Sequence, residues 1–250
     1  MGGSFALALK NAMPGIRIMG IDRPEVLDRA RRLKMIDTGD PQNSDLFVLA
    51  TPVNEILRLV GDIVPSETLV TDLGSTKVEI CRRAEQHGLA FIGGHPMTGS
   101  ERAGPEAANG DLFKDARYFL CPVSTTPSGA LDSMQEVVRG IGAIPEVLSA
   151  DEHDRLVAQI SHLPQLLSTL LADQVGENTE FSGPGLKSML RLAGSPFHVW
   201  RDIFRTSPYL PGEVEQFLKR LSAAQESINS GDLDEIKAAF DRTDVSGDQR

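Results

Sequence analysis

Short apolar runs alternate with helical patterns through the first 149 residues, and this alternation constrains the fold more than any other feature of the chain. Residues 16–21, 46–50, 69–73, 89–92, 118–123 and 144–148 have the length and the branched or aromatic content of buried strands. Between them residues 25–33 (opened by Pro24), 52–60 (opened by Thr51-Pro52), 77–87 and 130–140 carry helical spacing. Strands separated by helices of this length call for crossover connections, so the region reads as an α/β domain built on a parallel sheet. After Ser149 the alternation stops. Residues 151–175 form one long helical pattern, expected to bend where Pro164 removes a backbone donor. The stretch Phe181-Ser-Gly-Pro-Gly-Leu186 breaks it, and helical patterns resume at 186–193, 197–204, 214–229 and 233–240. The expected organisation is a sheet domain over residues 1–149 followed by an all-helical domain over 150–250.

A net charge of −10 without a basic stripe argues against nucleic acid as a partner. Two cysteines, Cys81 and Cys121, belong to no CxxC pair and suit a reduced, cytoplasmic interior. No apolar run approaches the roughly 20 residues of a membrane span. The apolar stretch at the start is closed by Lys10 and is too short for a signal peptide.

Gly2-Gly3-Ser4 ahead of an apolar helical run has the look of the last part of a phosphate-cradling turn that feeds a helix N-terminus. Asp22 follows about 20 residues later, at the end of the apolar run 16–21, the spacing at which a carboxylate accepts from an adenosine ribose. A carboxylate there favours NAD over NADP, although Arg23 beside it could pair with a 2′-phosphate. The bland alternative is an N-cap segment and a loop acid. The strand end at Thr51-Pro52 supplies further cofactor-side candidates.

Polar clusters sit at expected strand or helix ends. Asp72-Leu-Gly-Ser-Thr-Lys77 lies at the carboxyl end of a strand, where α/β sheets bind ligands; Ser75 or Thr76 could equally cap the next helix. Gly93-Gly-His-Pro-Met-Thr-Gly-Ser-Glu101 holds His95 between glycines and a proline, and histidine suits removal of a hydroxyl proton near neutral pH. Glu152-His-Asp154 and Ser161-His-Leu-Pro-Gln165 form a third cluster, in which His153 is either a cleft residue or a solvated helix start. Without a paired-histidine or cysteine spacing, no metal site is expected.

These stretches, with Arg191-Leu-Ala and Trp200-Arg-Asp202, occur in the order and spacing of prephenate dehydrogenases, and the chain resembles the prephenate/arogenate dehydrogenase family over nearly its whole length. The resemblance implies a Rossmann-type NAD-binding domain and a helical substrate-binding domain that forms a homodimer. It also implies NAD-dependent oxidative decarboxylation of prephenate to 4-hydroxyphenylpyruvate, a step of tyrosine biosynthesis. By the same resemblance His95 accepts the ring hydroxyl proton and Ser75 positions it. Arg191 pairs with a substrate carboxylate, Glu101 stands at the cleft mouth, and His162 and Gln165 line the pocket. Gly2, Gly3, Ser4, Asp22, Thr51 and Pro52 face the cofactor, and Trp200 lies near the dimer contact or in the core.

Two departures qualify the match. Many prephenate-preferring members carry histidine where this chain has Gln165, which bears on the choice between prephenate and the amino acid arogenate. Family members also place an apolar strand and Gly-x-Gly ahead of the equivalent of Gly2, so the sequence reads as clipped there, and a non-catalytic remnant unable to hold NAD is an alternative. An imine or β-hydroxyacid reductase would carry a lysine on the long helix, and residues 151–175 contain none.

Overall fold

The computed structural model describes residues 1–41, 44–99 and 104–243. Residues 1–208 form one compact unit, and a second begins at Tyr209. In the first, a five-stranded sheet runs β1 (Leu46–Leu49), β2 (Leu69–Asp72), β3 (Phe91–Pro96), β4 (Arg117–Pro122) and β5 (Ile144–Val147), each paired with the next in sequence. Helices α1 (Gly2–Ala12), α2 (Pro24–Arg32), α3 (Val53–Asp62), α4 (Val78–Gln86) and α5 (Ala130–Gly140) accompany it.

Side chains alternate across the strands and so divide the core. Ile92, Tyr118 and Leu120 point to one face, where Phe5 and Leu9 of α1 and Met134 and Val138 of α5 cover them. Val70, Phe91 and Cys121 point to the other, against Ile56 and Val60 of α3 and Ile80 and Ala84 of α4. The arrangement is the expected α/β sandwich, with one difference in strand direction. β1, β2 and β3 run parallel and β4 runs parallel to β5, but β3 and β4 are antiparallel. Residues 97–116 connect that pair with two short 3₁₀ turns among the described residues and no α-helix, and an antiparallel pair needs no crossover helix.

The expected strand at 16–21 is absent from the sheet. The Ile18 amide donates to the Asp37 carboxylate (2.9 Å) and the Asp37 amide donates to the Ile18 carbonyl (2.6 Å), while Lys10 donates to the same carboxylate (2.8 Å). The hydrogen bond from the Ile18 amide, and then that from Lys10, hold the Asp37 carboxyl below its usual range. Asp37 thus pairs both backbone groups of Ile18, the Ile16 amide donates to the Met13 carbonyl (3.1 Å), and β1 pairs with β2 alone among the described residues.

The long helical pattern after Ser149 is α6 (Ala150–Val157), a π-helical turn over residues 158–162, and α7 (Leu163–Val175). The irregularity therefore lies just ahead of Pro164, whose missing amide hydrogen falls where the π-helical turn passes into α7. Helices α8 (Pro184–Leu190) and α9 (Phe197–Thr206) complete the unit. The second unit contains α10 (Leu210–Ser230) and α11 (Asp234–Thr243), joined at Gly231, whose φ of +76° provides the left-handed C-cap. No described helix is long and apolar enough to cross a membrane.

α6 starts on a capping box. The Ser149 hydroxyl accepts from the Glu152 amide (3.2 Å), and the Glu152 carboxylate accepts from the Ser149 amide (2.9 Å). Ser149→Ala should lower stability by about 1 kcal/mol in urea unfolding, the usual cost of a lost N-cap.

Candidate active site

β1, β2 and β3 end at one edge of the sheet, where open α/β sheets present their ligand crevice. Asp72 closes β2 there and is fully buried. One carboxylate oxygen accepts from the Gly94 amide (3.1 Å) on β3; the other accepts from the Gly74 amide (2.8 Å) and from the ammonium of Lys77, also fully buried. This ion pair ties the β2–α4 loop to β3. The close approach of β2 to β3 leaves no room at Gly94, where a Cβ would lie 2.4 Å from the Asp72 carbonyl oxygen.

β3 continues past its expected end at Ile92 through Pro96, so His95 belongs to the strand rather than to a loop. Its Nδ1 is 2.8 Å from Nε2 of His153, and Nδ1 of His153 is 2.8 Å from Oδ1 of Asp154. Asp154 in turn accepts from the backbone amides of Lys77 (2.7 Å) and Val78 (2.9 Å), the N-terminal amides of α4. A carboxylate from α6 thus caps α4, where the helix dipole favours negative charge. Phe119 of β4 packs edge-on against the His153 ring (centroids 5.3 Å apart). His153 and Asp154 are both fully buried, so the solvated helix start considered for His153 is excluded. The capping box was the available signal: it fixes the helix phase, and His153 and Asp154 fall one turn inside, facing the sheet.

His162 lies in the π-helical turn. Its Nδ1 is 2.8 Å from the Ser207 hydroxyl, its Nε2 is buried without a partner among the described residues, and Trp200 stands edge-on to its ring. One helical turn on, Gln165 donates through Nε2 to the Leu192 carbonyl (2.8 Å) and to Thr169 (3.2 Å), and its buried Oε1 has no partner among the described residues. Those bonds bring α7 against the 3₁₀ turn 191–194 that opens with Arg191, an exposed guanidinium without an ion pair among the described residues. Thr76 and Thr206 share a 2.8 Å hydrogen bond that joins the β2–α4 loop to α9. His95, His162, Gln165 and Arg191 thus come from elements packed into one unit.

Ser75 lies half-buried in the β2–α4 loop and makes no hydrogen bond to His95 among the described residues; His153 holds the Nδ1 side of that ring. Glu101 lies outside the described residues. On the cofactor side, Gly2, Gly3 and Ser4 are themselves the first turn of α1, so their amides are the free donors of a helix N-terminus. A Cβ on Gly2 would come within 2.9 Å of Ala50, which places that N-terminus beside Thr51 and Pro52 at the carboxyl end of β1. The Ser4 hydroxyl accepts from the Asn109 amide (3.1 Å). Asp22 is exposed and accepts from the Arg23 amide (2.7 Å).

Burial keeps all three histidines neutral. It is the largest influence on each, holding His95 well below the ordinary imidazole value, lowering His153, and bringing His162 to about 4. The charges of His153, Lys77 and His162 depress His95 further, whereas Asp154 partly restores His153. A histidine depressed in the folded state costs nothing above pH 6.5, where both states are neutral, and destabilises the fold as pH falls because the unfolded chain takes the proton first. His162 alone should remove about 2 kcal/mol of stability between pH 7 and pH 5. Urea unfolding at the two pH values should show at least that loss, and His162→Asn should reduce it by about 2 kcal/mol while the part due to His95 and His153 remains.

Comparison with known proteins agrees with the geometry. The sequence profile "Prephenate dehydrogenase, nucleotide-binding domain" matches residues 5–147, and "Prephenate dehydrogenase, dimerization domain" matches residues 149–242. The prephenate dehydrogenase of Lactococcus lactis is 31% identical over 96% of this chain and 72% of its own length. That of Bacillus subtilis is 34% identical over 81% of this chain, which spans 60% of the Bacillus protein. A crystal structure of prephenate dehydrogenase from Aquifex aeolicus, in complex with hydroxyphenyl propionate and NAD+, superposes with a TM-score of 0.89 at 28% identity, covering 98% of this chain and 93% of the other. With its Rossmann-like sheet, helical C-terminal region and matches to both profiles, the chain belongs to the prephenate dehydrogenase family.

Proposed function

We propose that the protein is an NAD-dependent prephenate dehydrogenase, oxidising and decarboxylating prephenate to 4-hydroxyphenylpyruvate in the cytoplasm. The observation that carries this reading is His95: neutral, placed at the carboxyl end of β3, and held through Nδ1 so that Nε2 is the nitrogen left for chemistry. The N-terminal amides of α1 at Gly2, Gly3 and Ser4, with Thr51 and Pro52 beside them, suit the pyrophosphate of NAD, and Asp22 suits its adenosine ribose. The glycines support the fit, because a Cβ on Gly2 would fill the space against Ala50. When bound, NAD supplies the hydride acceptor.

His95 Nε2 takes the proton from the ring hydroxyl of prephenate as the carbon bearing it is oxidised. Loss of the ring carboxylate as CO2 leaves its bonding electrons in the ring, which becomes aromatic. Ser75, in the loop tied down by Asp72 and Lys77, faces the substrate hydroxyl. Arg191 presents a planar fork to a substrate carboxylate, and His162 and Gln165 line the pocket; Glu101, outside the described residues, matches the family's acid at the cleft mouth by sequence alone. Exposed apolar residues of the helical region, among them Phe181, Met189 and Phe197, suit a homodimer contact.

Gln165 favours a second reading on substrate choice. The Leu192 carbonyl can only accept, so the amide nitrogen of Gln165 faces it and a bare acceptor oxygen remains. An acceptor suits the ammonium of arogenate, whereas the keto acid side chain of prephenate offers it no donor.

The test is NADH formation by the purified chain with NAD and either substrate. Turnover is expected, with His95→Asn reducing kcat at least 100-fold, the span of general-base catalysis, while leaving NAD affinity unchanged. Because His95 stays neutral, kcat/KM should hold level through pH 6.5 and fall only at lower pH. No NADH from either substrate would favour the remnant; a higher kcat/KM for arogenate would favour the second reading.

A further inference from the structure

We infer that His153 and Asp154 are positioning residues that fix His95 as the tautomer protonated on Nδ1, with its lone pair on Nε2. The inference rests on the reading of His95 as the proton acceptor and names what sets that acceptor's direction.

The argument runs outward from Asp154. A carboxylate accepts and cannot donate, and Asp154 already takes two amide N–H groups from the start of α4. The His153 nitrogen 2.8 Å from its Oδ1 must therefore carry a hydrogen. A neutral imidazole holds one N–H, so the opposite nitrogen of His153, Nε2, is a lone pair. That lone pair lies 2.8 Å from Nδ1 of His95, which must then be the N–H of that ring. Two neutral rings in series carry the polarity of one carboxylate to the site, and the basic atom of His95 is Nε2. Burial makes the order strict. His153 and Asp154 exclude water, Phe119 covers the His153 ring, and a reversed tautomer would set two lone pairs or two N–H groups against each other where no water can repair the mismatch.

The same chain accounts for the proton once taken. As His95 becomes imidazolium, its Nδ1–H already has an acceptor in His153 Nε2, and His153 Nδ1–H has one in Asp154. No group must turn, and no bond other than the one to the incoming proton is made.

The decisive experiment is the ¹⁵N NMR spectrum of the wild-type chain with labelled histidine, recorded at a pH where His95 is neutral, because the ring nitrogens distinguish the tautomers. His95 should be protonated on Nδ1. His153→Leu, which removes the acceptor, should shift His95 toward the Nε2–H form and lower kcat by about tenfold or more, with NAD affinity unchanged. His153→Gln, whose amide oxygen can still accept from Nδ1–H, should restore the Nδ1–H signal and most of the rate. A wild-type His95 protonated on Nε2, or His153→Leu with undiminished kcat, would overturn the inference. Should His153→Leu not fold, the wild-type spectrum and the Gln variant decide. If the wild type formed no NADH yet showed the Nδ1–H signal, the functional reading would fail and the tautomer assignment would stand.

Discussion

The carboxylate of Asp154 is the contact on which the rest of the site depends. It accepts from the first amides of α4 and from His153, so one buried group caps a sheet-side helix and orients a histidine pair that ends at the candidate base. Burying a carboxylate is costly unless its lone pairs are met, and here three N–H groups meet them. The site is therefore a consequence of how the fold satisfies one charge. α6 must stand where its second turn reaches the N-terminus of α4, and the capping box at Ser149 sets that start.

Asp72 and Lys77 do the complementary work on the sheet side. Their ion pair is fully buried, and the two remaining hydrogen bonds of Asp72 go to glycine amides in the β2–α4 loop and on β3. A buried pair of this kind adds little net stability compared with an apolar pair, but losing one partner strands a charge. What it does for function is electrostatic. The Lys77 ammonium lies close enough to depress His95 and His153, which supports the burial that keeps both rings neutral. A neutral imidazole is what a proton acceptor at neutral pH has to be.

Much of this was legible in the sequence, and the misses share a cause. Strand and helix positions followed from local periodicity, which is why β1, β2, β4, β5 and α2 to α5 lie where the apolar runs put them. Strand direction and pairing are not local. Residues 16–21 have the pattern of a strand and form none, because pairing needs a neighbour and the segment finds Asp37 instead. The antiparallel step to β4 was signalled only by the lack of a helical pattern between residues 92 and 118. His95 was singled out by its glycine and proline neighbours, yet its strand placement required seeing Gly93 and Gly94 packed against Cys81 and the Asp72 backbone. The role of His153 could not be read from Glu-His-Asp alone, because the residue that orients His95 is 58 positions away in sequence. Family resemblance implies Ser75 beside His95 and the substrate hydroxyl; the Nδ1 side of the ring is held by His153, which the resemblance did not single out.

The central claim is that Asp154 holds the site and α4 together, and Asp154→Ala tests it most directly when unfolding and turnover are measured on the same preparation. Removing the carboxylate strips two helix-end amides and a buried imidazole N–H of their acceptor. Stability should fall by about 3 kcal/mol, given about 1 kcal/mol for a lost cap and 1–3 kcal/mol for a stranded buried donor. kcat should fall by at least tenfold in the fraction that remains folded, since His95 loses its fixed tautomer. A variant as stable and as active as the wild type would contradict the account.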